Sequence, residues 1–335
     1  MSEFQTRFLT EDEFPLWDQL VEESENGTLF HTVTWNRQAC SLDPGITLKV
    51  IGCFKGNEIV GGTIAGCRRR MGFQVMVTPY ASPFYGVLIK ERDTQFISKA
   101  LSYRKEVLES LLSFIESEIH IGSYAFPPGF IDIREFIWRG YRPEVIFTYR
   151  VKLNDSTRLF EGFLPSLKRQ IRKGEKLDYE LIEGEGDTQL SEVHDLILTS
   201  YKRQGHSFRF SRDRFISFVL EPGLKDHLRT YLIRHEGLPV SGLVLLIDGQ
   251  TAYYWLAGGD HQYFNTGLNQ VLLWKVLQQI QEEGISRFDF MGANTPSISN
   301  YKSGFNFPLV PYYRVSYESS RLAGGLITMK RFLKG

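Results

Sequence analysis

The sequence predicts a mixed α/β protein made of two similar domains, on three observations. Residues 251–294 read as strand, glycine-containing loop, helix and strand, a crossover unit that sets two strands parallel in one sheet. The end of the first half recurs in the second at an offset of 164 residues. WRGYRPEVIFTYRVKL, from Trp138, matches KSGFNFPLVPYYRVSY, from Lys302, so Gly140 falls on Gly304 and Arg150 on Arg314. Finally, 335 residues exceed what one hydrophobic core usually organises.

In the crossover unit, Tyr253 to Ala257 is short and aromatic, as strands are. Gly258, Gly259 and Asp260 break it. Helix formers run from Leu268 to Glu283, with Val271, Leu272, Val276, Leu277 and Ile280 forming an apolar stripe broad enough to lie on a sheet. Gly284 is placed to end that helix. Phe288 and Phe290 alternate with polar neighbours, as in a second strand. Gly267, Leu268 and Asn269 at the helix start predict free amides turned toward an anion.

Elsewhere the chain opens with a helix over 10–23, Thr10 capping and Glu13 three residues on. Two hairpins follow, one turning at Lys55–Glu58 and one at Met71-Gly72, then an aromatic, proline-containing loop that includes Tyr80. A helix is expected over 103–119, a strand over 130–133, and a strand ending near Lys152. KGNEIVGG, from Lys55, resembles HEGLPVSG, from His235, extending the repeat. The seam is expected near Asn154 to Thr157, giving domains of residues 1–153 and 154–335. The second domain opens on a basic helix, Leu164 to Lys173, and SISNYKSGFN near its end reads as a polar surface loop.

Lys plus Arg number 39 and so do Asp plus Glu, so no net field draws the chain onto DNA or a membrane, and such contact needs a local patch. The first residues lack the apolar core of a signal peptide and no run has the length of a membrane helix. Three cysteines without metal-type spacing read as reduced thiols, and a cytoplasmic location is expected.

The sequence has no GKS or GKT phosphate loop, no HExxH, no paired CxxC and no GxSxG elbow. No metal and no tightly bound cofactor are expected. Asp260 and Asp289 lie at strand ends and read either as catalytic carboxylates or as a turn residue and a structural acid. Lys168, Arg169, Arg172 and Lys173 make a cationic helix face able to meet phosphate or an RNA backbone, or simply solvent.

SLKRQIRK, YYWLAGGD, the N-x-G-x-N loop with its helix, FDFMG and YKSGFN leading to a Tyr-Arg-Val strand together resemble the Fem-type peptidoglycan-bridge aminoacyltransferases and FemAB-like acetyltransferase-domain proteins. The resemblance implies two tandem domains of the GNAT N-acyltransferase type. It also implies transfer of an acyl or aminoacyl group from an aminoacyl-tRNA or an acyl thioester to an amine. The acceptor would be a phosphorylated cell-wall or glycan precursor in a channel between the domains.

By the same resemblance Lys302 meets acceptor phosphate or the developing oxyanion. Arg37, Tyr80, Arg203, Arg209, Tyr254 and Phe305 are expected to bind acceptor, and Lys168, Arg169, Arg172, Gly267 and Asn269 to bind donor. Two departures stand out. Phe264 and Asn269 depart from the pyrophosphate loop of coenzyme A-using relatives, and the long charged arm of some relatives is absent. The resemblance leaves two other readings: an exopolysaccharide or lipid acyltransferase with another thioester donor, and a non-catalytic module that binds a phosphorylated glycan or peptide.

Overall fold

The computed structural model describes residues 3–153 and 156–319. In chain order the first half contains β1 (Phe4–Phe8), α1 (Phe14–Glu23), α2 (Val33–Ser41), β2 (Thr47–Lys55), β3 (Glu58–Arg70), β4 (Phe73–Val77) and β5 (Val87–Ile89). Then come α3 (Ile97–Glu118), β6 (Ile121–Ala125), α4 (Arg134–Trp138) and β7 (Arg142–Lys152). The second half contains α5 (Ser156–Gly162), α6 (Pro165–Gly174), β8 (Tyr179–Glu183), α7 (Asp187–Arg203), α8 (Arg212–Val219), β9 (Leu228–His235) and β10 (Leu238–Asp248). It closes with β11 (Thr251–Gly259), α9 (Leu268–Glu282), β12 (Arg287–Asp289), α10 (Pro296–Ser303) and β13 (Leu309–Glu318).

Among the described residues two compact units result, one of residues 3–146 with 311–319 and one within residues 147–310. The sheet of the first runs β1-β2-β3-β4-β6-β13, with β5 pairing β3, and that of the second runs β8-β9-β10-β11-β12-β7. The two orders are the same plan. Each has a run of antiparallel neighbours, one parallel step (β4 to β6, β11 to β12) and a last antiparallel strand. The repeat at 164 residues is therefore visible as architecture.

The last strands are exchanged. The Tyr-Arg-Val stretch of the first half, in β7, pairs β12, with Phe288 opposite Val151 and Asp289 opposite Arg150. Its counterpart in β13 pairs β6, with Val315 opposite Tyr124. The first unit therefore ends at Ile146 and takes back the chain at Pro311, whereas the sequence placed one seam after residue 153; Asn154 and Asp155 lie outside the described residues. A linear repeat cannot show this, because strand pairing across such separations is a long-range choice.

Local chemistry explains most elements. The Glu13 carboxylate accepts the Thr10 N–H (3.0 Å), starting the first helical turns. Lys55 pairs Glu58 across the turn at Gly56, and Arg70 pairs Phe73 across Met71 and Gly72, which both take positive φ. Two expectations are corrected. Residues 130–133 form no strand; they follow the Gly129 turn (φ 119°), and the strand is the earlier β6, Ile121–Ala125. SISNYKSGFN is no surface loop, because its first seven residues belong to α10, started by Pro296.

Each unit has its own core. In the first, α3 lays Val107, Leu111, Leu112 and Ile115 on the sheet, against Tyr124 and Phe126. In the second, α9 lays Val271, Leu272, Val276, Leu277 and Ile280 against Leu243, Leu245 and Phe288. Both helices show the stripe of a helix lying on a sheet.

Candidate active site

β11 and β12 run parallel only from Thr251↔Arg287 to Tyr253↔Asp289. Beyond that they part, which is where ligands enter open α/β sheets. β11 also carries a bulge: Val244 faces Leu256 while Leu245 faces Tyr254, so Trp255 is an extra residue. Trp255 is buried against Phe218 (centroids 5.4 Å apart) and Tyr254 turns the other way. A cavity of about 600 Å³ opens at the split. The carboxyl end of β11, the start of α9 and the end of α7 line it, with Met291 and α10 opposite.

Lys302 lies in that wall. It is only 5% exposed, in the last turn of α10, and its Nζ donates to the carbonyl oxygens of Phe290 (2.6 Å) and Gly292 (2.7 Å). An ammonium has three N–H donors, so the two carbonyls use two of them. Nζ also sits 5.9 Å from the Tyr254 ring centre and 5.5 Å from that of Phe290. Burial pushes its pKa down to about 8, and the Asp289 carboxylate opposes part of that fall.

The carbonyls that hold Lys302 come from a strained turn. Met291 (φ 54°) and Gly292 (φ 97°) both have positive φ, and for Met this is an uncommon conformation that its surroundings must impose. Asp289 imposes it: Oδ1 accepts from the Met291 N–H (2.8 Å) and the Thr148 hydroxyl (2.5 Å), and Thr148 Oγ1 accepts the Gly292 N–H (3.1 Å). Oδ2 is ion-paired with Arg150 Nε at 2.7 Å. The exchanged strand β7 thus supplies both partners of Asp289. This carboxylate is fully buried, lies outside the cavity lining and positions the Lys302 turn.

Of the residues singled out from sequence, Lys302, Tyr254, Arg203 and Asn269 line this one cavity. Arg203 ends α7 at the mouth, 3.5 Å from the Gly259 carbonyl and 4.4 Å over the Phe264 ring. Tyr254 and Tyr301 are hydrogen-bonded through their hydroxyls; burial drives Tyr254 well above the ordinary phenol value and Tyr301 to about 12, so both stay protonated donors.

The others lie elsewhere. Asp260 caps the short helical turn after β11, accepting the Gln262 N–H (3.0 Å), and is not in the lining. Phe305 is buried in the aromatic core with Phe163 and Phe290. Lys168 donates to the Glu161 carbonyl (2.9 Å), Arg172 lies over Phe160, and Arg169 is exposed on α6. Arg209 is exposed before α8. Arg37, beside Glu11 and Phe14, and the half-buried Tyr80 belong to the first unit.

At the start of α9, Gly267 and Leu268 are packed rather than turned to open space, and Asn269 is the residue that reaches the cavity. Gly267 (φ 91°) sits against α6: a Cβ there would be 2.1 Å from the Gln170 carbonyl oxygen. The Leu268 N–H is donated to Thr266 Oγ1 (3.2 Å) and Leu268 is buried. Sequence reasoning missed Gln270 and Tyr301, both in the lining. Gln270 is 8% exposed and its carbonyl oxygen has no partner among the described residues. A polar residue interrupting the apolar face of α9 was the available signal.

At this mouth Arg203→Ala is expected to weaken binding of an anionic ligand about three- to tenfold, with a smaller salt dependence and unchanged stability, as for other rim charges. Titration calorimetry at two ionic strengths, with denaturation curves, checks it.

Comparison with known proteins agrees with this geometry. Residues 163–303 match the family model of the acetyltransferase (GNAT) domain. No curated protein matches the sequence. Among solved structures, FemX is similar with a TM-score of 0.68 at 12% identity, over 94% of this chain and 97% of that one. L-PGS from Bacillus licheniformis reaches 0.58 at 12% identity, over 97% of each chain. A tandem GNAT protein from the clavulanic acid biosynthesis pathway reaches 0.53 at 12% identity, over 95% and 99%. Residues 163–303 are thus similar to the acetyltransferase (GNAT) domain, and the chain as a whole shares its fold with FemX and with a tandem GNAT protein.

Proposed function

We propose that the second unit transfers an acyl or aminoacyl group from an activated ester or thioester to an amine, in the cavity that ends at Lys302. The observation that carries this is the buried Lys302 ammonium, fixed by two main-chain carbonyls in the wall of the cavity. The amine nitrogen attacks the acyl carbonyl carbon, and the carbonyl oxygen takes up negative charge. The third N–H of Lys302 meets that oxygen, where preorganised positive charge counts most. The C–O or C–S bond to the donor then breaks, the carbonyl re-forms, and the leaving oxygen or sulfur takes up the proton that the amine has given up.

Holding the two reactants side by side supplies much of the remaining acceleration. Asp289 and Asp260 lie outside the lining, so that proton travels by way of the acceptor's own phosphate or carboxylate. We assign the donor to aminoacyl-tRNA or an acyl thioester, and the acceptor to a phosphorylated cell-wall or glycan precursor. Likeness to FemX and to L-PGS supports the class of transfer.

Mass spectrometry of the protein incubated with charged tRNAs, acyl-coenzyme A species and cell-wall precursors tests the reading. A new amide on one precursor is the expected product. A precursor that binds with no product from any donor identifies a binding module instead.

A further inference from the structure

The cavity of the second unit is uneven in charge. Among the described residues that line it are two fixed cations, Lys302 and Arg203, and no Asp or Glu. His206, also in the lining, adds no negative charge in either of its states. The two acids that the sequence placed nearby are engaged elsewhere: Asp289 is ion-paired with Arg150, and Asp260 caps a helical turn. The carbonyl oxygens of Phe290 and Gly292 already hold a cation, Lys302 itself. A large part of the wall is apolar. Leu243 on β10, Leu256 on β11, and Leu272 and Leu273 on α9 belong to it, each at most 3% exposed.

Such a wall sorts the acyl groups that a donor could carry. In an aminoacyl group the α-ammonium is one carbon from the reacting carbonyl. With the carbonyl oxygen on the third N–H of Lys302, the summed bond lengths leave that ammonium within roughly 7 Å of Nζ. Two cations so close repel each other, and away from bulk water the repulsion is poorly screened. No carboxylate among the described lining residues offsets it. Gln270, 8% exposed on α9, keeps a carbonyl oxygen without a partner among the described residues, but an amide is neutral and offsets no charge. A hydrocarbon acyl group meets no such conflict and buries its surface on the leucines. The acceptor amine escapes the conflict too, because it reacts as the free base, the form that neighbouring cations favour.

We propose that the acyl group transferred in this cavity is uncharged and apolar, and that the Lys302 and Arg203 charges reject an aminoacyl group, which leaves an acyl thioester rather than aminoacyl-tRNA as the donor. This rests on the transfer reading above. The probes are the isobutyryl and alanyl amides of pantetheine with NH in place of its sulfur, so that neither reacts. The two acyl groups have the same shape and differ in one methyl against one ammonium. Binding to the full chain is read by titration calorimetry at pH 7, where Lys302 and the alanyl amine are both mostly protonated.

The isobutyryl amide is expected to bind at least about tenfold more tightly than the alanyl amide, because like charges meet in the second case only. Lys302→Met removes one cation and should narrow that ratio. Gln270→Glu puts a carboxylate of nearly the same shape into the lining and should raise alanyl binding about tenfold while weakening the isobutyryl amide. The wild-type ratio decides by itself if either variant fails to fold. Equal or tighter binding of the alanyl amide overturns the proposal. So does a ratio that both variants leave unchanged, or binding of neither amide. The two reactive pantetheine thioesters, supplied with cell-wall precursors, report on transfer separately. Amide product formed as fast from the alanyl as from the isobutyryl thioester overturns the proposal and leaves transfer standing. A binding preference without product from either thioester overturns transfer and upholds the choice of an uncharged group.

Discussion

Replacing Lys302 with Met is expected to lower the rate of acyl transfer by about 10²–10³-fold, the range for loss of one oxyanion donor, with a smaller effect on acceptor affinity. The pH dependence carries more information than the rate. Lys302 is held at about 8, below the ordinary lysine value of 10.5, mainly by burial. Between those two values the unfolded chain binds the proton and the folded chain does not. Stability from this group therefore rises with pH across that window, by about 3 kcal/mol in full. Below pH 8 the fold carries the cost of a buried ammonium.

Transfer activity has the opposite sign, because the oxyanion needs the ammonium and the enzyme loses it as pH rises through about 8. Buried cysteines and tyrosines also titrate at high pH, so the clean measurement is the difference between wild type and Lys302→Met. That difference in unfolding free energy should increase from pH 8 to 10.5 while wild-type transfer falls. Transfer that rises through pH 8 would make Lys302 a neutral base and sink the oxyanion role. The substitution is also not neutral for the fold, as expected of a surface lysine. It leaves the Phe290 and Gly292 carbonyls without their donor, each worth about 1–3 kcal/mol when buried.

What sequence could and could not reveal follows from the range of the interactions. β11, α9 and β12 were legible because their burial follows local periodicity and Gly284 (φ 90°) ends the helix. β6 was not. Its Gly122 and Ser123 weaken the strand signal, yet Gly122 is needed, because a Cβ there would lie 2.5 Å from the Tyr317 ring on the incoming β13. The feature that hides the strand is thus part of the exchange that the repeat could not show. Lys302 was found by resemblance, but its burial was not, because the carbonyls that hold it belong to Phe290 and Gly292, outside its own helix. From sequence Asp289 reads as a structural carboxylate more readily than as a catalytic one. The decision belongs to Thr148 and Arg150, some 140 residues earlier in the chain.

Gly267 decides how the start of α9 should be read, and Gly267→Ala is expected to act on the fold rather than on donor binding. Two costs add there. An alanine at φ 91° occupies a left-handed conformation, worth about 1–2 kcal/mol. Its Cβ would also lie 2.1 Å from the Gln170 carbonyl oxygen and 3.2 Å from the Gly174 nitrogen, and backbone atoms in a packed helix cannot swing aside as a side-chain end can. Together they predict a loss of at least about 3 kcal/mol in unfolding free energy. Gly284→Ala separates the two terms, since Gly284 has nearly the same φ (90°) and nothing within 4 Å of an added Cβ. That variant should lose only the conformational part, about 1 kcal/mol. Chemical denaturation of both variants makes the comparison, and phosphate titration of the folded Gly267→Ala protein completes it. Equal losses in the two variants would mean that α6 does not press on Gly267. A stable Gly267→Ala protein with weakened phosphate binding would return these amides to the donor site.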